Sequence, residues 1–324
     1  MTAYANIAVF RRLCQSLASA QSPNIRIAPV NVLPFEQQVA VISALTEGCS
    51  IRATERLTGI HRDTIMRLAA RVGFGAIKFH DRTVHSLQVP RLELDEAWSF
   101  VGKKQRRCTP ADGIEVGDQY VFLGMSASSK AIVSFQVGKR NEENTKAFAW
   151  DLRERIINAP EISTDGLGSY EAAIEEAFGA NCRYGQIVKQ YHGEPAIDAA
   201  RRYSPGYVVA VSRRSVIGAP RQISTSYIER QNLSLRMASR RFTRLTNGFS
   251  KRVDYHLAAV GLYVAHFNFC RVHETLRTTP AMAQRLTDHV WTIGELLTAC
   301  LDNAPVKPRK VHRRFKLIQG GRQD

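Results

Sequence analysis

Three carboxylates stand where an acid is costly or pointed. Asp95 lies inside a strand-like run that also holds Leu92, Leu94, Trp98 and Phe100. An ionised Asp among apolar neighbours is expensive unless a partner such as a cation offsets the cost. Asp165 sits where the short run Glu161 to Thr164 ends, and Gly166 follows it. Glu229 sits in the first turn of a long basic helix. Singly, each has an ordinary reading: a surface strand residue, a turn former, and an acid that suits the positive end of a helix.

The helix around Glu229 changes that weighting. The spacing predicts a helix over Ser226 to Leu245. At 100° per residue, Glu229, Asn232, Arg236, Arg240, Thr243 and Asn247 fall within about 80° of one another. Ile228, Leu235, Ala238, Phe242 and Leu245 form an apolar face centred roughly 130° away. Arg230, Arg241 and Arg244 flank the polar front. One acid heading a row of Asn and Arg fits a helix laid along a nucleic-acid backbone, with a metal at its start.

Other elements must position these residues. From Arg91 the pattern turns to strand, continuing with Tyr120 to Ala127 and Ala131 to Val137. Gly102 to Asp118 is the first connecting turn. Glu142 to Ile157 reads as a helix, Glu161 to Thr164 as a fourth strand, Tyr170 to Phe178 as a helix and Arg183 to Gln190 as a fifth strand. The order β-β-β-α-β-α-β, followed by long helices, predicts an α/β domain with a mixed five-stranded sheet between helical layers. His192 to Gln222, rich in Pro and Gly around a strand-like Tyr207 to Ser212, reads as an insertion or ordered basic loop. Ser250 to Phe267 is a strong helix, and Thr292 to Leu301 a weaker one.

Upstream, residues 35–75 read as three short helices. Phe35, Val39, Ile42 and Leu45 repeat at helical spacing. Ser50 can cap a second helix, Ile51 to Leu57. Thr58-Gly59-Ile60 makes a tight turn, and a third helix carries Ile65, Leu68, Ala69 and Val72 on its inner face. This is the helix-turn-helix pattern. Outward positions hold Asp63, Thr64, Arg67 and Arg71, within reach of a major groove. Residues 75–90 read as a linker.

The remaining bounds come from composition. The chain has 324 residues, a formal net charge of +16 and 44% hydrophobic residues. The length suggests about two domains, and the apolar fraction argues against wholesale disorder. No apolar stretch approaches the roughly 20 residues that span a bilayer, and no secretory signal pattern opens the chain. A cytoplasmic, nucleoid-associated protein is expected. The six cysteines form no CxxC pair. The positive excess is confined: Arg201 to Arg277 carries 14 Lys/Arg against 3 acids, and Ala304 to Asp324 carries 7 against 1. Residues 1–34 are expected to be a short helix and linker, 90–283 the catalytic domain with the insertion near 192–222, 284–303 a C-terminal helix and 304–324 a basic arm. Lys307, Arg309, Lys310, Arg313, Arg314 and Lys316 would let that arm touch phosphates non-specifically.

Three stretches carry a resemblance. Leu94-Asp95-Glu96-Ala97-Trp98-Ser99-Phe100-Val101-Gly102-Lys103-Lys104, Ser163-Thr164-Asp165-Gly166 and Thr225-Ser226-Tyr227-Ile228-Glu229-Arg230-Gln231-Asn232 resemble the three catalytic motifs of bacterial insertion-sequence transposases. They are most similar to the group of the first-described insertion sequence. Arg240 to Asn247 and Tyr263 to Pro280 resemble that group too. The likeness implies a ribonuclease-H-like catalytic core, with the first Asp on the first strand, the second past the fourth and the last carboxylate on a helix after the fifth. Only Cys14 and Cys49 precede the helix-turn-helix, so the Cys-based zinc finger of many members is not expected.

The chemistry expected is metal-dependent DNA cleavage and strand transfer. Asp95, Asp165 and Glu229 would hold two Mg²⁺ ions (Mn²⁺ is an alternative) about 3.5–4 Å apart. Lys103 and Lys104 would steady phosphates near the site, and Arg230, Asn232, Arg236 and Arg240 would line the DNA track. His273 is given a structural rather than a catalytic role. The expected partner is double-stranded DNA, both element ends and target, bound by a homodimer or larger assembly. Two alternatives remain: a helix-turn-helix regulator without catalysis, and a nuclease or integrase of the same fold.

Overall fold

The computed structural model describes residues 32–192, 207–243 and 247–301. The helix expected near Phe10 to Leu17, part of the loop after His192 and the basic arm lie outside these.

Three helices open the described chain. They are α1 (Phe35–Thr46), α2 (Ile51–Thr58) and α3 (Arg62–Thr83). The Ser50 hydroxyl accepts from the Ala53 N–H at 3.1 Å, capping α2. Gly59 closes α2 at φ 70°, a left-handed conformation that glycine adopts without penalty. The α3 helix does not stop near residue 75. It runs 22 residues through the stretch expected to be a linker. Gly73 and Gly75, inside this helix, are contact points. A Cβ on Gly73 would sit 2.1 Å from the Ala258 carbonyl oxygen, and one on Gly75 2.0 Å from that of Cys300. Both glycines let α3 lie against two other helices at backbone contact distance.

The sheet follows: β1 (Arg91–Val101), β2 (Gly117–Ser126), β3 (Ile132–Gly138), α4 (Glu142–Arg155), β4 (Glu161–Asp165), α5 (Ser169–Phe178), β5 (Arg183–His192) and β6 (Tyr207–Ile217). Its strand order is β3-β2-β1-β4-β5-β6. The first three strands pair antiparallel. The β4 strand runs parallel to β1 and β5 parallel to β4. This is a ribonuclease-H-like sheet, with one strand more than the five expected. The sixth, β6, pairs antiparallel with β5 along its length. Its Val208, Val209 and Val211 are exposed, so the run lacks the apolar–polar alternation that marks a half-buried strand.

The last helices are α6 (Ser226–Ala238), α7 (Val253–Phe269), α8 (Pro280–Ala283) and α9 (Ile293–Leu301). The α6 helix is shorter than expected. Ser239 is extended, at φ −121° and ψ 114°, so Arg240 and Thr243 lie beyond the helix that was to align them with Glu229.

The two faces of the sheet are read from β2. Phe122 packs with Leu92, Leu94, Phe148 and Leu152 under α4. Val121, Leu123 and Met125 pack on the other face with Ile228, Leu235, Val260 and Val264 from α6 and α7. The first core is continuous with Val41, Ile42, Ile65, Leu68 and Val72 of the opening helices. Among the described residues no helix is long and apolar enough to cross a membrane.

Candidate active site

Strand alternation sends neighbouring side chains of β1 to opposite faces. Glu93, Asp95, Ala97 and Ser99 share the α6–α7 face. Ala97 packs with Ile228 and Val260, and the Ser99 hydroxyl meets His256 Nε2 at 3.0 Å. Glu96 shares the other face with Leu92 and Leu94. Asp165 ends β4, the parallel neighbour of β1. The register Glu93↔Ser163, carried two residues on, brings Asp165 level with Asp95. The result joins the two expected residues Asp95 and Asp165 with one that sequence reasoning missed, Glu96. Ligand oxygens of Asp95, Glu96 and Asp165 lie within 4.8 Å of one another. Glu96 stands next to Asp95 in the motif, but a residue on the far face of a strand gives no signal that it belongs to the same site.

Glu229 is outside that group and lines the same cleft. The cleft, about 740 Å³, is open, and is lined by the four carboxylates together with Arg140, Lys189, Thr225, Asn232 and Arg236. The Thr225 hydroxyl donates to Glu229 Oε1 at 2.6 Å, and Lys189 pairs with the same oxygen. The helix that carries Glu229 is tied directly to β1. Glu93, only 3% exposed, accepts from the N–H groups of Tyr227 and Ile228 at 2.8 and 3.1 Å. A buried carboxylate on the first turn of α6 satisfies donors that no residue within the helix can reach, and complements the helix dipole.

The charges in the cleft are unbalanced. Burial, then Asp165, pushes Asp95 up to about 6, with Glu229 adding to the effect. Burial and Asp165 also push Glu96 up to about 7, against the Tyr170 hydroxyl and Arg140. Arg140 bridges the two sides, donating to Glu96 Oε2 at 3.1 Å and Asp165 Oδ2 at 3.4 Å. Asp95 Oδ1 accepts from the Glu96 N–H at 2.9 Å, and Oδ2 from Asn232 Nδ2 at 2.8 Å. Glu96 Oε1 and Asn232 Oδ1 are buried without a hydrogen-bond partner. An all-oxygen donor set with unsatisfied oxygens and excess negative charge suits a hard divalent cation.

The other expected site residues are dispersed. Arg236 lines the cleft, and Arg230 and Arg240 are exposed. Asn232 is 4% exposed and holds Asp95, so it does not lie on an open DNA track. Lys103 and Lys104 do not line the cleft. Six residues of strand, roughly 20 Å, separate Asp95 from Val101, and Lys103 pairs with Asp112 at 2.7 Å. Thr64 is half-buried, while Arg67 and Arg71 are exposed on α3. Arg71 also donates to Gln38 Oε1 at 3.2 Å. His273 sits in a tight turn, bridged by backbone to Thr278, away from the cleft-lining residues.

No family model matches the chain. A curated relative does: over 177 residues, 55% of this chain and 95% of that protein, the sequence is 23% identical to the insertion element iso-IS1n protein InsB of Shigella dysenteriae. The chain resembles an insertion-element protein. Solved structures with some likeness include a piggyBac transposase synaptic complex with hairpin DNA, at TM-score 0.37 and 9% identity, covering 90% of this chain and 75% of that one. Another is the Mos1 strand transfer complex, at TM-score 0.22 and 11% identity, covering 78% and 83%. Scores of that size do not establish a common fold. The strand order and directions, not these neighbours, give the ribonuclease-H-like arrangement.

Proposed function

We propose that this chain is a transposase that cuts and joins DNA with the help of divalent metal ions, acting on the ends of an insertion element. The observation that carries the reading is that Asp95, Asp165 and Glu229, from three separate segments, line one open cleft. The similarity to the insertion-element protein supports the same reading. A regulator without catalysis would have no use for acids gathered at a cost.

Asp95, Asp165 and Glu229 would hold Mg²⁺ or Mn²⁺. When bound, such ions supply activation of the attacking oxygen and stabilisation of the leaving one. The chain's own residues supply position. Glu93 fixes the start of α6 against β1, and so sets where Glu229 stands relative to Asp95. Asn232 holds one oxygen of Asp95, directing the carboxylate. Lys189 and Thr225 hold Glu229. Arg236 offers a cation to a backbone phosphate at the cleft, with Arg230 and Arg240 further along. Arg67 and Arg71 on α3, after the Gly59 turn, are the residues proposed to read DNA outside the catalytic cleft.

The deciding experiment uses purified full-length protein, Mg²⁺ and DNA carrying the element ends. Nicked ends and joined products are expected from the wild type, and neither above background from Asp95→Asn or Glu229→Gln. Joining that survives either substitution overturns the roles given to those residues. Nicked ends without joined product would favour a nuclease of the same fold.

A further inference from the structure

We propose that Glu96 is a fourth carboxylate ligand of the metal site, closing it from the opposite face of β1. This rests on the metal-dependent reading above.

The argument starts from position. Asp95 and Glu96 leave β1 on opposite faces, yet their ligand oxygens and those of Asp165 lie within 4.8 Å of one another. That is possible because Asp165 stands at the end of β4, while β1 and β5 on either side of it run on, so the sheet has a gap there through which both faces reach the same space. The Glu96 side chain is only 2% exposed. One of its oxygens takes Arg140, and the other, Oε1, makes no well-formed hydrogen bond, although the buried Tyr170 hydroxyl, itself unsatisfied, is near enough to favour the charged carboxylate. A buried carboxylate oxygen without a donor is a costly arrangement. Leu92, Leu94 and Phe122, which share its face, are apolar and offer it no donor.

Charge gives the second line. The cleft is lined by four carboxylates, Asp95, Glu96, Asp165 and Glu229, and three cationic side chains, Arg140, Lys189 and Arg236. Lys189 is engaged with Glu229. Arg140 spans Glu96 and Asp165, and a guanidinium cannot enter the space between the ligand oxygens as a small ion can. A divalent ion among Asp95, Glu96 and Asp165 would satisfy the orphaned oxygen and reverse the local charge. Arg140, with its side chain 39% exposed, can turn outward to a phosphate when the ion takes its place.

The test is Mn²⁺ binding by the full chain at pH 8, followed by the electron paramagnetic resonance signal of free Mn²⁺. Glu96→Gln should weaken binding at least roughly tenfold, and so should Asp95→Asn. Wild-type affinity in Glu96→Gln, with binding lost in Asp95→Asn, overturns the Glu96 assignment and leaves the metal reading standing. A wild-type chain that binds no Mn²⁺ even in the millimolar range overturns both. Thermal unfolding separates ligand from structural partner. Glu96→Gln should melt no lower than wild type without metal, and should lose most of the Mn²⁺-induced rise. A variant that melts lower but keeps the full rise would make Glu96 only the partner of Arg140, against the proposal.

Discussion

Glu93 shows how a residue away from the chemistry can decide its geometry. Its carboxylate takes two N–H groups at the start of α6, within three residues of Glu229. Glu93→Ala should destabilise the chain by about 1–3 kcal/mol, the cost of leaving buried donors without an acceptor. Glu93→Gln, which keeps an acceptor oxygen, should recover part of that. Chemical denaturation of both variants checks the order. The pH response belongs to the same scale. Glu96 is raised from 4.5 to about 7 by burial and by Asp165. In that interval the folded chain binds more protons than the unfolded one, so this group makes stability fall as pH rises. Three buried histidines, His80, His256 and His266, act in the opposite sense. Burial lowers His80 and His256 to about 3, so between pH 6.5 and 3 the unfolded chain binds more protons and stability falls with acid. In metal-free buffer, the melting temperature of Glu96→Gln relative to wild type should rise between pH 4.5 and 7. Below about pH 4.5, where Glu96 is protonated folded or unfolded, the two acid limbs should run parallel. A constant difference across the whole range would contradict the raised value.

Among the elements, α3 carries the sharpest stability prediction. Gly73 and Gly75 lie where α3 meets α7 and α9 at less than a side chain's width. Gly→Ala in an exposed helix is normally stabilising, but here each Cβ would strike backbone. Gly73→Ala and Gly75→Ala should each cost about 1–3 kcal/mol, in the range of an overpacked core, read as a lowered unfolding midpoint. Those two glycines also explain where sequence reasoning stopped short. A Gly in a helical pattern resembles a break until the partner helix is known, so the second half of α3 looked like a linker. The order of elements along the chain, with Asp95 in a strand, Asp165 at a strand end and Glu229 in the first turn of a helix, was legible because alternation, helical period and strand ends are local signals. Strand β6 was only half legible, because its exposed valines carry no alternation. Glu96, Arg140 and Lys189 were invisible as site residues, because each joins the cleft through strand pairing and not through its own neighbours in sequence. Asn232 was seen on the polar face of α6, but its partner Asp95, 137 residues away, could not be.

For the whole molecule, the +16 charge predicts strong electrostatic attraction to DNA. Binding should weaken steeply with salt, the logarithm of affinity falling linearly with that of salt concentration. Arg236→Ala combined with Arg240→Ala should reduce that slope by about 2 if each meets a phosphate. An unchanged slope would return both residues to the solvated surface. The continuity of the first core with α1, α2 and α3 bears on how such binding would couple to the proposed cutting.

The uninterrupted α3 helix makes the molecule a ruler. It begins at the Gly59 turn and runs 22 residues, about 33 Å, pinned along its second half against α7 and α9. The helix that would read a recognition sequence therefore has no joint between it and the core that carries the cleft. Each base pair inserted between that sequence and the scissile phosphate shifts the phosphate by about 3.4 Å and turns it by roughly 35° around the duplex. A chain with a hinge would follow such a shift. This one should lose cleavage after one or two inserted base pairs and regain part of it only near a full helical turn, a periodicity that end-labelled substrates of graded spacing would display.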